Sequence, residues 1–246
     1  MADDDLEVDD LVHAALALDD DDPDEDEHYA VLVAELQHRG SRETFEAMRA
    51  LIEDGDENAQ MLGAAVLGQL GYTEGRPFGG ESVLLVAPLA TGRGSVDLVT
   101  TAVGALGLIG ERAGAAAVLA QARHADEQVR LAVAQSLPGI AGSPADPAVV
   151  EALLGLMEDP SGPVRDWATF AFGSEIDADT PAIRAALLAR IGDKEGAWDE
   201  ALAGLARRGH PETARLVEQR LGERDLELDP LVAQALVAAG YDVAPR

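Results

Sequence analysis

Asp126-Glu127-Gln128-Val129-Arg130 opens a stretch that runs through Val133 and Leu137 to Ala141-Gly142, and its pattern decides the fold. An acid stands at a turn, Val-Arg follows, and an apolar anchor, Leu137, lies seven residues beyond the arginine. Val133, four residues before Leu137, shares one side of a helix with it. The pattern returns as Asp159-Pro160-Ser161-Gly162-Pro163-Val164-Arg165, then Ala168 and Phe172. Outward from these two copies the anchor recurs as Leu36, Leu67, Leu106, Leu137, Phe172, Leu205 and Leu236, at steps of 31, 39, 31, 35, 33 and 31 residues. The fourth residue before each anchor is small or apolar: Leu32, Gly63, Ala102, Val133, Ala168, Ala201 and Val232. The fourth residue after it is usually glycine (Gly40, Gly71, Gly110, Gly209, Gly240). Ala141, with Gly142 beside it, and Ile176 are the exceptions. A recurrence of this length marks stacked units, each unable to bury its apolar face alone.

Each unit reads as two helices. The second, carrying the anchor, is predicted at Glu127–Ile140, Pro163–Phe172 and Ala197–Arg208, and the first at Pro147–Met157, Pro181–Ile191 and Pro211–Leu221. Asp146-Pro147 and Thr180-Pro181 place a capping oxygen before a proline whose missing N–H is harmless in the first turn. The glycine after each second helix is the expected left-handed terminator. With Val129-Arg130…Leu137, Val164-Arg165…Phe172-Gly173, Leu67-Gly68-Gln69-Leu70-Gly71 and Leu106-Gly107-Leu108-Ile109-Gly110, the chain resembles the HEAT-repeat family. The likeness is to the short bacterial HEAT-like repeats also found in phycobilin lyases, and it spans about residues 28–240. It implies an all-α fold: a right-handed α-solenoid of about seven HEAT-like helical pairs. In such stacks an arginine at the phase of Arg130 and Arg165 bonds an acid at a turn, which makes Asp126 and Asp159 the expected partners. Gln60, Val99 and Trp198 occupy that phase in other repeats, so a continuous Asp–Arg ladder is not expected there.

Residues 1–27 are expected to form an acidic N-terminal segment with a short capping helix around Leu11–Leu18, and residues 28–246 a single repeat domain. The one long step, from Leu67 to Leu106, has its extra residues around Tyr72–Glu81, a loop by its proline and glycines. Insertions in solenoids map to loops on one face, often the binding face.

The net charge is −28, and residues 1–27 carry 14 acidic and no basic side chains. Half of the charge therefore sits in a solvated or partner-facing segment. Lys194 is the only lysine against 17 arginines, a bias of a GC-rich genome. The chain contains no cysteine, so disulfides and thiol chemistry are excluded. With no long uncharged apolar stretch and an acidic N-terminus, a membrane span and a secretory signal are not expected, and the cytoplasm is the default location. Direct nucleic-acid binding, known from HEAT-like DNA glycosylases, needs a basic track that this chain lacks. Arg207-Arg208 is the only basic doublet of its least acidic stretch.

No His-Glu pair occurs among the histidines, which argues against the metal site of the iron-binding HEAT-repeat hydroxylases. Asp20, Asp22 and Asp24 alternate as in a calcium loop but lack its sixth-position glycine, and Pro23 interrupts them. No cofactor is expected. Six residues are candidates for partner binding: Arg76 and Phe78 in the long loop, and Asp166, Trp167, Thr169 and Phe170 on one helix. Each has a packing alternative: Phe78 folds back onto the neighbouring repeat, and the Trp167 cluster fills a gap between alanine-lined helices. The small residues of the second helices (Ala64, Gly68, Val103, Gly107, Ala134 and others) either line an apolar groove on the concave side or let helices approach closely. The function expected is that of a non-enzymatic interaction scaffold for a basic protein. A lyase-type enzyme or accessory subunit acting on a tetrapyrrole-bearing protein, and an immunity protein masking a basic toxin, are the alternatives.

Overall fold

The computed structural model describes residues 7–18, 23–193, 197–221 and 230–241. Every regular element among them is helical, and the helices form two compact units, residues 1–140 and 141–246. The repeat pattern runs through residue 140 without announcing this division.

The first unit holds four helical pairs: α1 (Val8–Leu16) with α2 (Pro23–Arg39), α3 (Arg42–Asp54) with α4 (Glu57–Gln69), α5 (Gly79–Thr91) with α6 (Val96–Ile109), and α7 (Ala115–Ala120) with α8 (Glu127–Ile140). The second holds three: α9 (Pro147–Leu156) with α10 (Gly162–Phe170), α11 (Pro181–Arg190) with α12 (Trp198–Arg207), and α13 (Thr213–Leu221) with α14 (Pro230–Ala238). Their starts follow the local chemistry. Ser41, Asp56, Ser95, Asp146 and Thr180 each accept a backbone N–H of the following first turn through the side chain.

Within each unit the second helices stack on one another, and the anchors lie where they meet. Leu36, Leu106, Leu137, Phe172, Leu205 and Leu236 are 0% exposed and Leu67 is 2%. Glycine ends the second helices as its backbone freedom predicts: φ is +63° at Gly71 and +75° at Gly110. Where Gly142 takes the place of a glycine at 141, φ is again positive, +73°.

Ile176 stands where the fifth repeat lacks its glycine, and the chain solves the exit differently. After α10, residues Ala171–Glu175 form a π-turn, closed by the Ile176 N–H on the Ala171 carbonyl at 2.8 Å. The carbonyls freed there need donors from elsewhere, and Arg208 supplies them. Its Nη1 donates to Phe172 O at 2.7 Å and Gly204 O at 2.9 Å. Its Nη2 donates to Ile176 O at 2.8 Å and Ala178 O at 2.9 Å, and its Nε also reaches Ala178 O, at 3.1 Å.

The small residues settle as helix contacts. Ala64, Val103 and Ala134 are fully buried, and Gly68 is buried too. A Cβ on Gly107 would stand 2.5 Å from Ser136 Cβ, and one on Gly139 would stand 2.6 Å from the Gly107 carbonyl oxygen. The α6 and α8 backbones therefore approach closely, Gly139 against the Gly107 carbonyl and Gly107 against the Ser136 side chain.

The acidic N-terminal region is not a linker throughout. The α1 helix buries Val8, Leu11, Val12 and Ala15 and packs on α2, α3 and α4, while Leu16 is 41% exposed. Helix α2 already begins at Pro23, inside the segment expected to span residues 1–27, and residues 1–6 and 19–22 lie outside the described residues.

Candidate protein-interaction surface

The long step contributes less loop than its sequence suggests. Tyr72–Glu74 form a single 3-10 turn, and α5 starts at Gly79, so Glu81 is helical. Phe78 folds back against Phe45 of α3, with ring centroids 5.1 Å apart. The Arg42 guanidinium lies over the Phe78 ring at 4.4 Å and grips Glu81 through two bonds of 2.9 and 3.0 Å. That contact holds the Glu81 carboxyl below the usual carboxylate range, the hydrogen bond from Arg42 being the main cause. Phe78 thus serves packing between consecutive repeats. Arg76 takes a left-handed φ of +54°, and its Nε is buried with no hydrogen-bond partner among the described residues.

The α10 candidates separate. Thr169 is fully buried, and its hydroxyl donates to the Arg165 carbonyl at 2.7 Å, so it cannot meet a partner. Trp167 is 40% exposed and meets half-buried Phe170 edge-on, with centroids 5.5 Å apart. Asp166 lies one helical turn before Phe170. Burial, chiefly, and the nearby Asp193 and Asp199 push its carboxyl above the ordinary aspartate range. Those two neighbours are paired: Asp193 with Arg165 at 3.0 Å and Arg190 at 3.2 Å, and Asp199 with Arg220 at 2.6 Å.

The repeat-phase arginines chiefly cap the chain. Arg130 donates to the His124 and Ala125 carbonyls, both at 2.9 Å, and Arg165 to those of Asp159 and Pro160, at 2.9 and 3.1 Å. Gln60, at the same phase, reaches the Ile52 and Gly55 carbonyls. The Asp126 carboxylate caps the Gln128 N–H and that of Asp159 the Ser161 N–H, whereas Asp193 supplies the acid that clamps Arg165.

A groove of about 800 Å³ opens in the second unit. Phe170 and Gly173 form one wall, Ala206 and Arg207 the floor, and Ala235 and Ala238 of α14 the other wall. Glu175 stands at its edge, exposed. Arg207 is engaged: it donates to the Gly173 carbonyl at 2.9 Å and pairs with Asp177. The doublet Arg207-Arg208 is therefore bound to its own chain and does not form a phosphate track. The groove was not readable from the repeat pattern, which marks Gly173 and Ala206 as small but cannot place α14 opposite them.

Among the described residues no group of three or more His, Asp or Glu side chains is placed to hold a metal ion. His124 and His210 cap turns, accepting the N–H of Asp126 at 3.1 Å and of Glu212 at 3.3 Å. No helix among the described residues is long and apolar enough to cross a membrane.

Paired helices whose second members stack on one another within each unit, with the anchors buried between them, define a helical-repeat protein of the α-solenoid class. Residues 88–173 match a family model described as HEAT repeats. No curated protein sequence matches the chain. Among solved structures it is similar to an X-ray structure of YibA from Escherichia coli, with 22% identity and a TM-score of 0.69, over 94% of this chain and 82% of that one. That likeness concerns the fold. A structure of human deoxyhypusine hydroxylase in complex with glycerol aligns over 94% of both chains, at 13% identity and a TM-score of 0.37.

Proposed function

We propose that this helical-repeat scaffold is a non-enzymatic binding protein for a basic protein partner. One observation carries the reading: in the second unit the described cations are committed to internal partners, while acids remain over. Arg165, Arg184, Arg190, Arg207, Arg215 and Arg220 each pair with a carboxylate, and Arg208 is buried on backbone carbonyls. An acidic partner would find few free cations there, whereas a cationic one meets a chain of net charge −28. The first 27 residues, with 14 acidic and no basic side chains, contribute half of that net charge. This is steering by charge, so it weakens with salt.

The test is affinity capture from native lysate with the full chain as bait, with a parallel capture at high salt and mass spectrometry of both. Basic proteins retained at low salt and lost at high salt are expected. Capture dominated by acidic proteins, or unchanged by salt, overturns the reading. A coloured adduct formed on incubation with a tetrapyrrole would point instead to lyase-type chemistry.

A further inference from the structure

We infer that the groove between α10, α12 and α14 is the docking site for a short amphipathic, basic α-helix of the partner. The inference rests on the basic-partner reading above and narrows it to a place and a shape. The groove lies between three helices, and much of its lining is alanine and glycine. Side chains this short let an incoming helix backbone approach closely, and about 800 Å³ admits roughly two turns of a helix about 10 Å across. At one end the walls rise into aromatic surface, because Phe170 lines the groove and Trp167 stacks edge-on against it while 40% exposed. Such a ring pair suits a buried leucine or the aliphatic stem of an arginine.

Charge selects the occupant. The one arginine lining the groove, Arg207, is neutralised by Asp177. Glu175, the one carboxylate lining the groove, is exposed at its edge. A helix carrying Lys or Arg on both flanks of an Ala/Leu face would pair with Glu175, suit the chain's net charge of −28 and bury its apolar face in the groove. The chain's own N-terminal segment is excluded from this role by like charge, since it carries 14 acids and no base.

The experiment uses the full chain and fluorescein-labelled helical peptides of about four turns, read by anisotropy at low salt. A panel with an Ala/Leu face and Lys/Arg flanks is compared with a scrambled peptide of equal charge and with an acidic peptide of the same face. Ala238→Trp blocks the groove from an exposed position. Ala239→Gln is a smaller block should the first variant lose stability, and Glu175→Lys reverses the rim. Binding of patterned basic peptides is expected, weakened about tenfold or more by either block and by the rim reversal, at unchanged thermal stability. Equal binding of the scrambled peptide, or full affinity in both blocked variants, overturns the groove while leaving the basic-partner reading intact. Failure of the whole panel to bind overturns the helix as occupant. Equal affinity for the acidic peptide overturns the groove proposal and the basic-partner reading together. Self-association abolished by the blocks would place a second copy of the chain in the groove and also overturn the proposal.

Discussion

Arg208 Nη1 donates to the carbonyl of Phe172, 36 residues earlier, at 2.7 Å, and so closes the helix end that lacks its glycine. The guanidinium makes five such bonds in one plane, to carbonyls of Phe172, Gly204, Ile176 and Ala178. It is 9% exposed, and burial, helped by neighbouring Arg207, pushes its pKa down from the ordinary value. Only a planar fork of donors fits this set. Arg208→Ala should destabilise the protein by roughly 3 kcal/mol, because several buried carbonyls lose their donors. Arg208→Lys should recover less than half of that loss. Urea denaturation measures both, and a lysine variant as stable as the parent would show that charge alone suffices.

The loop aromatic and the helix aromatic should respond in opposite ways. Phe78→Ala removes a ring packed on Phe45 and under Arg42, so it should cost about 2–3 kcal/mol. Trp167→Ala, at a position 40% exposed, should cost less than about 1 kcal/mol yet weaken partner capture. Thermal melts paired with capture assays separate the two. Full capture by the Trp167 variant would remove α10 from the interaction surface.

Glycines divide by cause. At Gly110 the nearest atom to an added Cβ is 3.5 Å away, so Gly110→Ala meets only the strain of φ +75° and should cost about 1 kcal/mol. At Gly107 an added Cβ would stand 2.5 Å from Ser136 Cβ, and alanine there should cost about 1–3 kcal/mol through overpacking. The double variant Gly107→Ala with Ser136→Gly should recover part of that loss. No recovery in chemical denaturation would show that the helices cannot close around the smaller residue.

Asp166 links the candidate surface to pH. Its folded-state pKa is raised, chiefly by burial and then by Asp193 and Asp199. The folded state therefore holds its proton more tightly than the unfolded chain. Stability from this group is fully present below the ordinary aspartate pKa of about 3.9 and is lost as pH rises through the raised value. Asp166→Asn should accordingly be more stable than the parent near neutral pH, and the difference should vanish in acid. Melting curves across this range check the sign, and a variant that is less stable at neutral pH contradicts it.

Helix α1 is expected to matter for folding. Leu11 is 1% exposed among α2, α3 and α4, and Leu11→Ala should destabilise by about 3 kcal/mol. Deletion of residues 1–22 should loosen the first unit by more than the point substitution does. Hydrogen exchange would locate the loss in α2–α4, and unchanged protection there would detach α1 from the core.

The repeat period, the anchors and the glycine exits were readable in the sequence because burial and left-handed φ act on single positions. Leu36 through Leu236 lie in the core, and the helix from Glu127 to Ile140 has the predicted ends. What one repeat does to another is not written at one position. Phe78 read either as a partner contact or as packing on the neighbouring repeat, and its ring finds Phe45, a contact set by how α5 returns over α3. Thr169 shares a helix with Trp167 but points to the carbonyl of Arg165 one turn back. Arg208 looked like half of a basic doublet, and its acceptors come from a π-turn that no propensity predicts. The groove depends on α14 closing a third side, which the anchor at Leu236 alone does not reveal.

The bare contact between α6 and α8 has a mechanical consequence. Where Gly139 meets the Gly107 carbonyl, backbone lies against backbone and there is little void to compress. Pulled or twisted, the first unit should therefore pivot about this line as a beam pivots on a fulcrum. The elastic travel would fall to the first-helix layer, where the contacts run through longer side chains such as Phe45, Met48 and Val86. Stiffness along one edge with compliance along the other gives a spring that bends in one plane.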